Sequence, residues 1–453
     1  MKTMFCFFAL AFLSAAAFCA GTPVLKIGLK ESEELAISNS NRLKAALQEL
    51  EAAKSRANSQ YSQLYPRLTL DGTLREVSEV PSITVPIPGA KSIKLGDNLN
   101  YSLGPSAVWT VWDAKGIYNQ WLSFKALEKS KKEEADAIKK QVILSARQSY
   151  FQAQLALEEL RLISDSLKLA QSQYSDIDKR LRAGVSSRID SLYAHQEALD
   201  KRRQFRQAQT TLADALKDIF SLTGEEPNAD VSLPAHIGMA GNLPVQIDTP
   251  TAYLDLDSLE SSHEYLAFAF SAKPDMSHPG VNIYMRMAEA SRLSAKAMES
   301  GNWPKFQLSA RTSLDYPNGP IIESFNQNTI GITASVPLFE GGRTREQAKE
   351  QEQLARASEE RKLQAGTDLL RDWQKAKYQI TGLTAQEEIN AQSVQEAEEL
   401  AKLVYSSYKA GSSTFLEVQS ANVRALEAKT QSSRTKVQIL MQLAVLANLS
   451  QGE

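Results

Sequence analysis

Only two cysteines occur in the 453 residues, Cys6 and Cys19, and both lie in the apolar amino-terminal run. The body of the chain therefore contains no internal disulfide and no thiolate metal centre. Histidine is almost as scarce. His195, His236, His263 and His278 are the only four, and their spacing would not hold a metal ion. Neither sign of charge dominates: 51 Lys and Arg stand against 53 Asp and Glu, a formal net charge of −2. That balance gives no electrostatic footprint of a nucleic-acid binder. Glycine-rich phosphate cradles are missing too, since Gly341-Gly342 and the isolated turn glycines fit neither a P-loop nor a dinucleotide fingerprint. Glu387-Glu388 and Glu398-Glu399 read as solvated helix faces rather than paired catalytic carboxylates, and Met285 and Met287 as packing. The expectation is a protein that is not an enzyme and has no cofactor and no metal.

Long apolar runs are lacking after the amino terminus. There, Lys2 precedes an apolar stretch from Met4 to about Ala20, the basic and hydrophobic regions of a signal peptide over residues 1–20. A membrane anchor is the alternative, but the run is short for one and ends in small residues. Ala15-Ala16-Ala17 and Ala20 both offer cleavage sites, and Cys19 offers a lipidation site that the bulky Phe18 disfavours. No later stretch is apolar for long enough to span a bilayer as a helix, so any membrane insertion must use strands.

What the chain does contain is a duplication. Tyr65-Pro66-Arg67-Leu68 is matched by Trp303-Pro304-Lys305-Phe306, about 238 positions later. Trp112-Asp113 is matched by Phe339-Glu340, and Arg182-Ala183-Gly184 by Lys409-Ala410-Gly411, both about 227 positions apart. The change of offset falls between the two strands of each copy, where loop length varies cheaply. The first repeat is expected over 21–223, a connector with Pro227, Pro234, Pro244, Pro250, Pro274 and Pro279 over 224–279, and the second repeat over 280–453.

Each copy has the same internal order. Glu31 to Gln63 reads as one helix, ended by Pro66. Strands with period-two alternation follow at about 66–80 and 98–112, and in the second copy at about 304–316 and 329–339. One face carries Leu68, Leu70, Leu74, Leu308, Ile330 and Ile332; the other carries Arg67, Asp71, Lys305 and Arg311. Each strand is about ten residues long, enough to cross a bilayer when tilted. Tyr65, Trp109, Trp112, Trp303 and Phe339 sit where interfacial aromatics belong, with Tyr101 and Tyr316 nearer the opposite ends. Beyond each hairpin runs a proline-free helical stretch that would extend roughly 100 Å, with tips near residues 184 and 411. Return helices follow from about Ser187 to Thr223 and from Thr414 to Asn448, with narrow apolar stripes suited to coiled-coil packing.

At both tips a basic residue precedes a glycine, Gly184 or Gly411, as a helix C-terminal turn requires. Ser187-x-x-Asp190 and Thr414-x-x-Glu417 then read as capping boxes of the next helix. The two carboxylates are expected to cap helices and to face an aperture at the end of a helical tube. Assembly follows from strand number. Four strands leave open edges that lipid does not tolerate. Two chains would give a barrel filled by side chains, and three a twelve-stranded barrel wide enough for a channel. A homotrimer is a normal closed symmetry.

In these features the chain resembles the TolC-like outer-membrane efflux and secretion channels of Gram-negative bacteria. The residues that carry the likeness are Tyr65-Pro66-Arg67-Leu68, Trp303-Pro304-Lys305-Phe306, the junction Val336-Pro337-Leu338-Phe339-Glu340-Gly341-Gly342-Arg343, and Tyr408-x-x-Gly411 with Phe415-Leu416-Glu417-Val418. The resemblance implies an α+β membrane protein: a trimeric twelve-stranded β-barrel continued by a periplasmic α-helical barrel in the outer membrane. It implies passive export, with the helix tips opened by a periplasmic adaptor protein and an inner-membrane pump of the RND or ABC type. It also implies contact with outer-membrane lipid. By position Glu417 matches an acidic residue that some family members use at the periplasmic constriction, and Asp190 and Tyr408 match residues in the network that holds that end closed. Ser413 stands where some members place an arginine, and Ser420 where they place a second acidic residue. The first junction, Val111-Trp112-Asp113-Ala114-Lys115, lacks the double glycine. The rival reading is an exported coiled-coil structural or surface-attachment protein without channel activity, which would explain the helices but not two amphipathic hairpins.

Overall fold

The computed structural model describes residues 25–83, 92–224 and 254–451. The expected signal peptide with both cysteines, and residues 225–253 of the expected connector with His236, lie outside them. In the first copy the order is β1 (Leu25–Ile27), α1 (Leu29–Asn39), α2 (Asn41–Tyr61), β2 (Arg67–Glu76), β3 (Ser82–Ile83), β4 (Ile93–Lys94), β5 (Leu99–Trp112), α3 (Gly116–Arg182) and α4 (Arg188–Thr223). Between the copies stand β6 (Leu254–Leu256), α5 (Leu259–Leu266) and α6 (Phe268–Ser271). The second copy has α7 (Pro279–Glu299), β7 (Lys305–Tyr316), β8 (Phe325–Ser335), α8 (Arg343–Lys409) and α9 (Phe415–Leu449). The matching long helices α3 and α8 contain 67 residues each, and the return helices α4 and α9 contain 36 and 35.

Two differences from the sequence expectation have local causes. The single helix expected over 31–63 is broken at Ser40, because Ser38-Asn39-Ser40-Asn41 is a run of weak helix formers. The Ser40 hydroxyl accepts the Leu43 N–H at 3.2 Å and starts α2 afresh. The last strand, expected over about 329–339, runs from Phe325 to Ser335. Pro337 has no N–H to offer a ladder, while pairing of Asp315 with Phe325 draws the earlier residues in. Val336, Leu338 and Phe339 therefore lie beyond the strand.

Contacts divide the chain into two units. The strand unit comprises Asn39–Ser145, Phe268–Ile380 and the chain from Gln442 onward. Its sheet is antiparallel in the order β2-β5-β7-β8, so the hairpin of each copy pairs with the other through β5 and β7. Within this sheet β2 and β8 have one neighbour each. Alternation places Leu68, Leu70, Leu74, Leu103, Ile330 and Ile332 on one face, and all are exposed; Leu68 is 76 % and Ile330 81 % accessible. An apolar face left bare over a whole sheet calls for an apolar surround. The polar face is knit by short bonds: Ser102 Oγ donates to Asp315 Oδ1 at 2.6 Å and accepts from Arg311 Nη2 at 2.7 Å.

The tip unit comprises the chain up to Ser38, Ala146–Ala267 and Thr381–Met441. In α3 the buried positions Ala146, Tyr150, Ala153, Leu157, Leu160, Ser164 and Leu167 alternate steps of four and three. That is the period of a coiled-coil seam. A small parallel pair, β1 with β6, is fixed to it by polar bonds. Tyr150 Oη accepts the Asp257 N–H at 2.9 Å, and the Asp257 carboxylate accepts the Leu29 N–H at 2.8 Å. Arg147 and Glu33 form a buried ion pair there at 2.7 Å. Among the described residues no helix is long and apolar enough to cross a membrane.

Candidate functional site

Both helix tips are made by the same backbone device. At the first, the Val185 N–H donates to the Arg180 carbonyl at 2.9 Å and the Gly184 N–H to Leu181 at 3.0 Å. At the second, Ser412 donates to Ser407 and Gly411 to Tyr408, both at 3.0 Å. Gly184 and Gly411 hold φ of 75° and 80°, and a Cβ on either would meet nothing within 4 Å. Glycine is thus required for its left-handed backbone and not for space.

The side chains of the two tips then diverge. Thr414 and Glu417 form a reciprocal box: the Thr414 N–H donates to Glu417 Oε2 at 3.0 Å, and the Glu417 N–H to Thr414 Oγ1 at 3.4 Å. At the first tip the Asp190 N–H donates to Ser187 Oγ at 3.0 Å, but among the described residues the half-buried Asp190 carboxylate returns no bond. Tyr408, 9 % accessible, shares a 3.2 Å hydrogen bond with Ser186 Oγ, and its ring meets Phe415 edge-on at 5.7 Å. Phe415, Val418, Ile177 and Ala194 complete this small core. Asp190 and Tyr408 are not brought into a hydrogen bond. Ser413 is half-buried, and Glu417 and Ser420 are exposed.

Residues that sequence reasoning passed over tie the tips together. Tyr405 Oη donates to Asp176 Oδ2 at 3.1 Å, and Arg180 Nε lies 3.4 Å from the same oxygen. Arg180 Nη1 also donates to the Lys409 carbonyl at 3.4 Å, at the C-terminal end of α8 where a cation is favoured. Lys409 Nζ stands 4.8 Å from the Tyr405 ring. Burial, reinforced by the Asp176 carboxylate, pushes the Tyr405 phenol up to about 12. Tyr405 stands one helical turn before Tyr408, and that spacing was the available signal.

In the strand unit most aromatic contacts gather where strands give way to helices, while Tyr101 and Tyr316 stack at 5.1 Å toward the opposite end. Tyr65 packs edge-on against Tyr61 at 5.5 Å, Trp109 Nε1 donates to the Leu64 carbonyl at 2.9 Å, and Trp112 meets Phe306 at 5.7 Å. Tyr61 and Tyr118, both contacting Trp121, extend this cluster onto α2 and α3. Trp303 is exposed, and Phe339 is 91 % accessible outside the strand. The two strand-to-helix junctions share one backbone. Gly341 and Gly342 have φ of 59° and 83°, and Ala114 and Lys115, at the same places in the first copy, have 52° and 68°. The first junction therefore holds two side-chain-bearing residues in the left-handed region, against a cost of roughly 1–2 kcal/mol each. Asp113 Oδ2 accepts the Ile117 N–H at 2.7 Å and helps fix that turn. Among the described residues no group of three or more His, Cys, Asp or Glu could hold a metal.

Comparison with known proteins bears on both units. The family model described as Outer membrane efflux protein matches residues 34–225 and 287–450, one segment in each copy. No protein of curated function matches the chain. Solved structures match throughout. The outer membrane protein VceC from Vibrio cholerae is 16% identical with a TM-score of 0.72, over 93% of this chain and 95% of its own. The Campylobacter jejuni CmeC outer membrane channel is 14% identical with a TM-score of 0.70, over 94% and 87%. The Neisseria gonorrhoeae MtrE outer membrane channel, solved in an open state, is 15% identical with a TM-score of 0.69, over 93% and 88%. At these identities the likeness establishes a shared fold.

Proposed function

The chain belongs to the outer membrane efflux protein family, and from that premise we propose that it is a passive export duct of the outer membrane. Three chains contribute twelve strands to one closed barrel, with the apolar faces toward lipid and the polar faces toward a water-filled lumen. The long helices form the periplasmic part of the duct, closed at the tips until a periplasmic adaptor and an inner-membrane pump engage it. The observation that carries this reading is the sheet itself. It has four strands, a bare apolar face and, among the described residues, a partner-free side on both β2 and β8. Edges of that kind are not tolerated in lipid and are removed by closure with further copies. The aromatic cluster at the helix end of the sheet supports a membrane interface there.

The matched tips support the gating half of the proposal. Glu417 and Asp190 present carboxylates at equivalent places, and Tyr408, Ser413 and Ser420 flank them. Tripartite drug or metal efflux and type I protein secretion are both compatible with this duct. The test is direct. Protein purified in detergent is expected to be a trimer by native mass measurement and to conduct ions in planar bilayers. A stable monomer that conducts nothing would overturn the proposal and return the surface-attachment reading.

A further inference from the structure

We propose that the polar face of the sheet is an anion-preferring filter, so that the strand-lined part of this duct favours anionic solutes such as small carboxylates, sulfonates and phosphates. The inference rests on the reading that this face lines the lumen. Register places Arg67, Val108, Ser309 and Gly331 in one row across the four strands. Thr69, Ser106, Arg311 and Thr329 form the next row. Lys305, beside Ser335, lies on the same face toward the helix end. Along this part of the face the cations therefore stand opposite small neutral residues. Cross-strand pairing of opposite charges, the usual use of charge on a sheet, is not what they are for.

Within the strands the carboxylates begin only beyond these rows. Asp71 lies opposite Gly104 and Asp315 opposite Ser102. Both are already occupied by hydroxyls: Asp71 accepts from Ser106 and Thr69, and Asp315 accepts from Ser102. Arg75, opposite Asn100, adds a fourth cation at the loop end. Among the described residues none of the four cations makes an ion pair. Within the strands the face thus carries Arg67, Arg75, Lys305 and Arg311 against Asp71 and Asp315; Lys305 shares a cavity with Asp113 and Glu340 of the strand-to-helix junctions, so the excess rests on the rows of Arg67 and Arg311. On an open surface such an excess would be screened within about 8 Å at physiological salt. Within a lumen walled by low-dielectric strands and lipid, the field is focused and raises the local concentration of anions.

The test reads the potential at the face rather than across the whole channel, because the tip carboxylates act on total conductance with the opposite sign. Ser309→Cys places a thiol in the Arg67 row. Trimers in lipid vesicles are treated with sulfonate-bearing (anionic) and trimethylammonium-bearing (cationic) methanethiosulfonates of equal size, and reaction of the parent chain is subtracted. The anionic reagent is expected to react several-fold faster, relative to the ratio on a free thiol. Adding Arg67→Gln and Arg311→Gln is expected to cut that preference at least threefold. A preference for the cationic reagent, or a ratio the two substitutions do not move, overturns the filter. If the double variant does not trimerise, Thr73→Cys in the carboxylate rows takes its place, and an anionic preference no stronger at Ser309→Cys than at Thr73→Cys is the overturning result. Reaction with neither reagent in trimers that still conduct would instead overturn the assignment of this face to the lumen.

Discussion

At the second helix tip the first residue of the return helix, Phe415, is buried against Tyr408, Val418, Ile177 and Ala194. At the first tip the residue in the same place, Arg188, is exposed, and its neighbours Val185 and Ile189 project into solvent. The turns beneath them share the same hydrogen bonds and the same left-handed glycine. Duplication has kept the backbone solution in both copies and let the side chains part. One tip supplies the aromatic part of the small core that holds the pair of tips together; the other adds Ile177 and Ala194 to it, and presents a carboxylate with no hydrogen-bond partner among the described residues and an apolar edge. Residues alike in both tips are therefore architectural, and residues that differ are where function can be sought.

The sharpest way to break this comparison is to remove the core of the second tip. Phe415→Ala is expected to destabilise the tip unit by about 3–5 kcal/mol, the cost of emptying a buried aromatic site. Arg188→Ala, at the equivalent place, is expected to change stability by no more than about 0.5 kcal/mol. Hydrogen exchange of the amides around residues 404–420 and 174–194 measures both. Equal effects at the two positions would mean that the tips are equivalent. A smaller, symmetric effect is expected at the turns: Gly184→Ala and Gly411→Ala each force a Cβ into the left-handed region and cost about 1–2 kcal/mol. The junctions offer the converse. Lys115→Gly relieves strain that Gly342 never had, and is expected to raise the unfolding temperature of the strand unit, whereas Gly342→Lys lowers it. No change in either would mean that the first turn holds its φ of 68° without cost.

How much of this was legible in the sequence depends on the range of the interaction. The tip turns and both caps are local, written in Gly184, Gly411, Ser187 and Thr414, and a spacing of three residues is enough to read them. The coiled-coil seam of α3 is equally local, because period carries it. The junction misled for a related reason. The missing double glycine at Ala114-Lys115 read as a departure, yet the surrounding strand and helix impose the same backbone on different residues. Non-local pairings were out of reach. The join of β5 to β7, the partnership of Tyr405 with Asp176, and the one-sidedness of the cap at Asp190 depend on which helix faces lie together, and pattern does not encode that. The break at Ser40 was visible but outvoted by the helical composition on either side.

Glu417 and Asp190 sharpen the comparison at a lower energy. Glu417→Ala removes the return bond to the Thr414 N–H and is expected to cost about 1 kcal/mol, while Asp190→Ala loses only its interaction with the helix dipole, about 0.3–1 kcal/mol. If Glu417 also lines the aperture, Glu417→Ala weakens cation selectivity or divalent block in planar bilayers with trimers intact. Unchanged conductance with lowered stability would confine Glu417 to the cap, and would leave Asp190, whose carboxylate is not engaged by its own helix, as the gating candidate.

A further small effect tests whether the two tips are coupled at all. Tyr405, on the helix leading to the second tip, donates to Asp176 on the helix leading to the first. Burial and the neighbouring carboxylate both penalise the phenolate and push the Tyr405 phenol up from an ordinary 10.0 to about 12. The sign follows from linkage. The unfolded chain releases this proton first, so the stabilisation is fully present below about pH 10 and is lost as pH rises through about 12. Tyr405→Phe removes both the bond and the ionisation. It is expected to cost about 0.5–1.5 kcal/mol at neutral pH, with a flatter loss of stability across the alkaline window. Thermal unfolding at stepped alkaline pH, with tyrosinate absorbance as the titration readout, compares variant and parent. An alkaline slope identical in both would mean that Asp176 and Tyr405 are neighbours without being a link, and that the tips are held together by the apolar cluster under Tyr408 with the Ser186–Tyr408 and Arg180–Lys409 hydrogen bonds.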